Sequence, residues 1–376
     1  MNLQAIIVAN LTGFLLIMFL YFSRFITRTK SDTEEHAFDV MMGLAMIACV
    51  IEPITFAVDG IHNPICYWVN IIGNTYLYYA NGLGSFLWLL YEDMKLFHDR
   101  SRMKRIYYKI SVPVSILLLS LIGNIKFGYY FYVDDNYVYH RQTTIYIFYV
   151  YMMLCALYSI GLYLYYKKHH GKKLAFFPIY MYLIPIVTGS VIQMLYYGVS
   201  TAWLGTAVGV VALYMSLQQQ RAYTDTLTGL YNRLYLEHAI FKINRRASTT
   251  YYGMMLDMND FKLINDTHGH SAGDQALKDV AQIFNDVLSS NSTAFRYAGD
   301  EFIIVTKTDD EQEVIDLEAA LKQAADDFNN AHKRPYKLSF AIGHSMFNTA
   351  DSEDSILKRI DDAMYLDKKR YHASQI

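Results

Sequence analysis

Two clusters of carboxylates stand at the ends of apolar stretches and are placed to act on a common substrate. One is Asp257-Met258-Asn259-Asp260-Phe261-Lys262, and the other, downstream, is Arg296-Tyr297-Ala298-Gly299-Asp300-Glu301-Phe302. Residues 252 to 256 read as a buried strand that delivers Asp257 at its end. Phe295 to Tyr297 and Phe302 to Val305 read as two strands joined by Ala-Gly-Asp-Glu, which puts Asp300 at a hairpin tip. A glycine at this turn tolerates positive φ and lets a phosphate approach the backbone. Two carboxylates on neighbouring strand ends are what Mg²⁺ on a nucleotide requires. The chemistry implied is phosphoryl transfer.

With these runs come Asp225-Thr-Leu-Thr-Gly-Leu-Tyr-Asn-Arg233, Phe261-Lys-Leu-Ile-Asn-Asp266, Gly269-His270, Gly273-Asp274 and Ala363-Met-Tyr-Leu-Asp-Lys368. In this order and spacing, over roughly residues 225 to 372, the chain resembles the GGDEF-domain diguanylate cyclases. The resemblance implies that one GTP sits on each of two facing domains. The 3′-hydroxyl of each then attacks the α-phosphate of the other, so a homodimer is required. Carried over residue by residue, Asp257, Asp300 and the carbonyl of Met258 match the metal ligands, for two Mg²⁺ per half-site with Mn²⁺ as the alternative ion. Asp300, Glu301 and Lys368 match the catalytic positions. Asn265 and Asp274 match those that read guanine, Lys262 a phosphate contact, Phe261 a side chain behind the turn, and Gly299 the nucleotide-facing glycine. Aspartate has a physical reason to prefer guanine, whose N1–H and N2–H it accepts together, whereas adenine offers an acceptor at N1.

The chain departs from the family pattern in places. Ala298 stands at the first signature glycine, which adds a steric penalty if that residue needs positive φ. Asn259 stands where a second aspartate is common. Lys368 is followed by Tyr371 and His372 rather than by glycine and arginine, so the arginine's phosphate contact is missing unless His372 replaces it when protonated. The Arg-x-x-Asp product-inhibition site falls on Ser289-Ser-Asn-Ser292, so no feedback through it is expected. His268, His270 and Asp266 lie in the nucleotide loop and are not read as a transition-metal site. The rival to the enzyme is a catalytically weak receptor whose GGDEF domain binds GTP for regulation.

The first half of the chain is apolar. Stretches at about 3 to 25, 37 to 58, 65 to 91, 106 to 124, 144 to 166, 174 to 197 and 199 to 217 read as membrane helices. The start, Met-Asn-Leu-Gln-Ala, lacks a basic n-region, so the first stretch is kept as a helix. Arg24, Arg28 and Lys30, then Lys95 to Arg105, then Lys167, Lys168, Lys172 and Lys173 alternate with loops poor in lysine and arginine. The expected placement is a multi-pass protein of the inner (cytoplasmic) membrane, N-terminus outside and C-terminal domain cytoplasmic. The fold class is therefore an all-α seven-transmembrane bundle (1–217), a helical linker (218–224) and an α+β ferredoxin-like, palm-type nucleotidyl cyclase domain (225–376).

Within the spans, Glu52, Asn70, Asn74 and Asn81 are expensive in lipid and serve either interhelical hydrogen bonds or a ligand pocket. Residues 129 to 140 read as an external hairpin able to cover such a pocket. The expected partners are thus GTP, a second copy, the lipid bilayer and an unknown small-molecule or envelope signal. A net charge of −2 with no basic stripe argues against nucleic acid, and Cys49, Cys66 and Cys155 have no metal or disulfide spacing. In the last domain, a helix at Leu227 to Arg245 leads into strand 251–256, a helix, helix 273–288, the hairpin, helix 311–331, strand 337–345 and helix 352–369. That order suggests a largely antiparallel sheet with helices on one side.

Overall fold

The structure is a computed structural model that describes residues 2–27, 33–97, 99–170, 179–196, 199–244, 249–331, 334–347 and 352–373. It forms two compact units, Met1–Leu217 and Gln218–Ile376. Arg28, Lys30, Lys172 and Lys173, part of the orientation argument, lie outside the described residues, as does the side chain of His372.

Among the described residues the first unit is built on α1 (Leu3–Thr27), α2 (Thr33–Val58), α3 (Pro64–Phe97), α4 (Arg100–Phe127), α5 (Tyr146–His170), α6 (Ile179–Leu195) and α7 (Ala202–Tyr223). A two-stranded antiparallel hairpin, β1 (Phe131–Val133) and β2 (Tyr139–Arg141), stands between α4 and α5, as the sequence suggested. Four segments, Leu3–Arg24, His36–Val58, Arg100–Phe127 and Thr143–His169, are long and apolar enough to cross a membrane. The expectation of seven such segments is met in helix positions but not in apolarity. α3 is interrupted by Asn70, Asn74, Asn81, Glu92 and Asp93, α6 is short, and α7 runs on into Gln218-Gln-Gln-Arg221.

The polar groups of this unit hold helices together. Glu52 accepts hydrogen bonds from Gln193 Nε2 (2.7 Å), Asn10 Nδ2 (3.1 Å) and the Ser200 hydroxyl, tying α2 to α1, to α6 and to the residues before α7. Asp93 of α3 pairs with Arg102 of α4 at 3.1 Å, and Glu92 accepts from Ser159 of α5. α6 and α7 meet through glycine: a Cβ at Gly205 or Gly209 would run into the carbonyl of Pro185 or Tyr182. That is the small-xxx-small spacing of close helix crossings.

In the second unit, α7 ends at Tyr223, so the linker is helical as expected. The helix predicted from Leu227 begins only at Arg233, because Asp225 to Asn232 is taken up by a tight turn and a short strand. The Asp225 carboxylate accepts from the Thr228 N–H (2.9 Å) and hydroxyl (2.7 Å), so it closes this turn instead of capping a helix. The elements that follow are β3 (Tyr231–Asn232), α8 (Arg233–Asn244), β4 (Tyr251–Met258), α9 (Phe261–His268), α10 (His270–Val287), β5 (Ser292–Ala298), β6 (Glu301–Lys307), α11 (Glu311–Ala331), β7 (Phe340–Phe347) and α12 (Glu353–Ala373).

The sheet order is β3-β5-β6-β4-β7, antiparallel except where β3 meets β5. Helices cover both faces, which corrects the one-sided expectation. β4 is apolar at successive positions, so both of its faces need covering. Met254 and Leu256 pack with Phe302 and Ile304 under α10 and α11, while Met255 packs with Ile303 and Val305 under α8 and α12. Phe284 meets Phe302 edge-on with ring centroids 5.3 Å apart. Each such fully buried ring stabilises the fold by about 1.5–3 kcal/mol.

α12 lies so close on β7 that a Cβ at Gly343 would collide with the backbone of Ala363 and Met364. Gly343→Ala is therefore expected to cost about 1–3 kcal/mol by overpacking, read as a lower urea midpoint for residues 218–376. An unchanged midpoint would refute this contact.

Candidate functional site

β4, an inner strand between β6 and β7, carries the first carboxylate. Asp257 pairs in register with Glu301 of β6 and with Ala341 of β7. Residues directly opposite in antiparallel strands project to the same face at close range, and like charges there are destabilising. Asp300 follows at the tip of the β5–β6 turn, which closes with Ala298 opposite Glu301. A register shift between Arg296 and Ala298 leaves Tyr297 outside the ladder and re-aims the turn. Gly299 alone in this turn has positive φ (48°). The penalty feared at Ala298 does not arise, because Ala298 is in ordinary extended backbone. The Met258 N–H donates to the Asp300 carbonyl at 3.3 Å, locking the tip to the end of β4.

The carboxylates strain against one another. Burial, and then the charge of Asp257, raise the Asp300 carboxyl above its ordinary range, against the pull of Lys368 and Arg296. Glu301 is raised by burial and then by Asp257, Asp300 and Asp361, with Lys368 opposing. Lys368 of α12 reaches over the sheet to Asp257, with Nζ 2.7 Å from Oδ1. Matched by resemblance to a catalytic position, it here pairs with the Asp257 carboxylate. No group of three or more His, Cys, Asp or Glu set to close on a metal occurs among the described residues. Mg²⁺ on a nucleotide needs none, since it takes one or two carboxylates and completes its shell with phosphate oxygens and water. Asp257 and Asp300, with the Met258 carbonyl, fit such an ion.

The remaining predicted residues gather on the next two helices. Asp260 adopts the left-handed conformation (φ 57°) that turns the chain from β4 into α9. Phe261, half-buried, packs on the core behind the turn, and Lys262 is exposed beside it. Asn265 sits against Gly273, where any Cβ would collide with its side-chain oxygen. Asp274, next in the chain and exposed near the start of α10, shares that edge. His268 and His270 are exposed.

Three contacts were not anticipated. Arg296, noted only as part of the signature run, donates through Nε (2.9 Å) and Nη2 (2.8 Å) to the Gly299 carbonyl. Through Nη1 it also reaches the Asp225 carboxylate at 3.0 Å. Burial raises the Asp225 carboxyl, but the Thr228 bonds and Arg296 outweigh it and leave it low. The available signal was a charge on a strand next to a turn that needs its carbonyl held. Asn259, at a common aspartate position, is buried and donates to the Ser339 hydroxyl at 3.2 Å, which makes it a tether. Tyr371, in the departing segment, donates to Asp260 at 3.0 Å.

The family described as diguanylate cyclase, GGDEF domain, matches residues 222–373, so the second unit carries a GGDEF domain. Diguanylate cyclase DosC of Escherichia coli (strain K12) is 34% identical over 164 residues, which cover 42% of this chain and 35% of that protein. Diguanylate cyclase DgcZ of the same strain is 32% identical over 151 residues, covering 40% and 51%. Among solved structures, the coiled coil and GGDEF domain of DgcB from Caulobacter crescentus, in complex with c-di-GMP, is 25% identical with a TM-score of 0.38, covering 42% of this chain and 85% of that one. The chain thus spans between a third and about half of these curated relatives.

Raised carboxyls in the folded state stabilise below their unfolded pKa, and that contribution is lost as pH rises through the higher folded values. Metal-free protein is therefore expected to lose stability as pH climbs from about 4 upward. Asp300→Asn, which removes one of the repelling charges, is expected to flatten that fall and to raise the melting temperature at neutral pH. A lower melting temperature at neutral pH for Asp300→Asn would contradict the repulsion.

Proposed function

We propose that the GGDEF domain of residues 222–373 binds GTP and, when two copies face each other, condenses two GTP into cyclic di-GMP with release of two pyrophosphates. The observation that carries this reading is the cross-strand Asp257–Glu301 pair with Asp300 at the adjoining tip and Lys368 in reach. Like-charged groups held at a stability cost, in a domain of this family, mark a site built for a cation and a polyphosphate. Bound Mg²⁺, held by Asp257, Asp300 and the Met258 carbonyl, would neutralise the triphosphate and the developing charge on the leaving group.

The chain's own residues do the rest. Asn265 and Asp274 accept the guanine donors, and Gly273 keeps Asn265 at that edge. Lys262 and Lys368 orient the triphosphate, Lys368 exchanging its Asp257 contact for a phosphate oxygen. Glu301, whose carboxyl is raised, accepts the 3′-hydroxyl proton as the oxygen bonds to the partner nucleotide's α-phosphorus and the α–β bridging bond breaks. Because each domain presents one nucleotide, a single copy cannot close the ring. The ordinary backbone at Ala298 supports an active turn over the regulatory reading, and Tyr371 and His372 remain the departures that limit phosphate contact. We also propose that all seven N-terminal helices cross the inner membrane, with the GGDEF domain cytoplasmic, where GTP is available.

Full-length protein in membranes, given GTP and Mg²⁺, is expected to yield cyclic di-GMP, and Asp300→Asn to yield none while remaining folded. GTP bound without product from the unaltered protein would favour the regulatory module. Asp274→Asn is expected to lower the preference for GTP over ATP by about 1–3 kcal/mol, roughly five- to 160-fold in kcat/KM. An unchanged ratio would remove Asp274 from guanine recognition.

A further inference from the structure

The first unit encloses a polar cavity of about 80 Å³ between α2, α3, α5, α6 and α7, with β2 at one wall. Two carboxylates, Glu52 and Asp59, and one guanidinium, Arg141, line it. The oxygens of Glu52 are taken up by Asn10, Gln193 and Ser200, so it serves mainly as scaffold. Asp59 accepts from Asn70 Nδ2 at 3.0 Å and from the Tyr139 N–H at 2.8 Å, holding the hairpin over the cavity. Asn74 donates to the carbonyl (2.9 Å) and side-chain oxygen (2.6 Å) of Asn70, and Asn81 donates to the Leu77 carbonyl at 3.0 Å. Their own amide oxygens are then the acceptors that the lining offers.

A second cavity of about 570 Å³, lined almost entirely by apolar side chains, shares Asn81, Tyr149, Met152, Ser190 and Trp203 with the first. These five side chains are the boundary, or neck, between the two spaces.

Deepening the expectation that this unit meets a small-molecule signal, and resting on it, we propose that the two cavities together bind a small amphoteric molecule: an ammonium and an oxyanion on one head, with an apolar group attached. Apolar α-amino acids and zwitterionic lipids share that chemistry. The ammonium is met by Asp59 and the amide oxygens of Asn74 and Asn81, with the rings of Tyr149 and Trp203 at the neck. The oxyanion meets the fork of Arg141. The apolar group fills the larger cavity, whose size is that of a ligand pocket. A purely anionic ligand would set its charge against Glu52 and Asp59 at the cost of uncompensated buried charge, and a purely cationic one would lie against Arg141.

The test uses the full-length protein in detergent micelles with L-leucine, read by tryptophan fluorescence and melting temperature. Leucinamide and 4-methylpentanoate each lack one charge of the head. Leucine is expected to bind saturably, at least about tenfold tighter than either control, a difference of about 1.4 kcal/mol. Arg141→Gln should erase that advantage over leucinamide, and Ser190→Phe, which narrows the neck, should abolish the response in a protein that still melts cooperatively. If the head belongs to a lipid, leucine will be silent. Nanodiscs of phosphatidylethanolamine will then raise the melting temperature over phosphatidylglycerol in an Arg141-dependent way. The proposal is overturned if neither probe gives an Arg141-dependent response, or if a singly charged control binds as tightly as leucine. No readout is cyclase turnover, so an inactive GGDEF domain would leave the result standing.

Discussion

The β4–β6 register sets Asp257 directly across from Glu301, with Asp300 one residue further at the turn. Like charges at cross-strand distance oppose folding, and much of the second unit is arranged to contain that opposition. Lys368 arrives from α12 to meet Asp257, which it can do because α12 lies backbone-close on β7 at Gly343. Met258 pins the tip through its N–H, and Arg296 holds the Gly299 carbonyl. The cost is local and the compensation is distributed over three strands and a helix, as expected where stability is traded for a charged site.

The first unit meets the opposite problem, in that polar groups lie among helices that are otherwise apolar. Hydrogen bonds between helices answer much of it. Glu52 accepts from donors on two other helices and from Ser200 ahead of α7, and one oxygen of Asp93 pairs with Arg102 of α4. Such bonds fix which helices are neighbours, because the apolar surfaces alone do not choose partners. The glycine contacts of α6 and α7 supply the complementary part, a close approach that needs no polar atom.

Where pattern is local, the sequence was readable. The hairpin carrying Asp300 and the helix Glu311–Ala331 stand where alternation and helical spacing put them. The misplacements share a cause in tertiary context. β7 begins at Phe340, not at Lys337, because the Leu338 N–H and carbonyl bond to Asn329 of α11 and leave the ladder. α8 starts late because Asp225 closes a turn whose far partner, Arg296, is on another strand. The apolar continuity of β4 was visible and implied two covered faces. The guanine-side pair was named from motif alone, while the reason Gly273 must be glycine, the Asn265 oxygen beside it, is a contact between helices that no spacing displays.

One guanidinium joins the first turn of the second unit to the turn that carries Asp300. Arg296 is a planar, rigid fork with one prong on Asp225 and two nitrogens on the Gly299 carbonyl. Such a fork cannot lengthen. If Asp225 moves, either the turn follows or a charge-assisted bond breaks. The entry turn and the tip that carries Asp300 are therefore held by one and the same side chain, and neither can be set independently of the other.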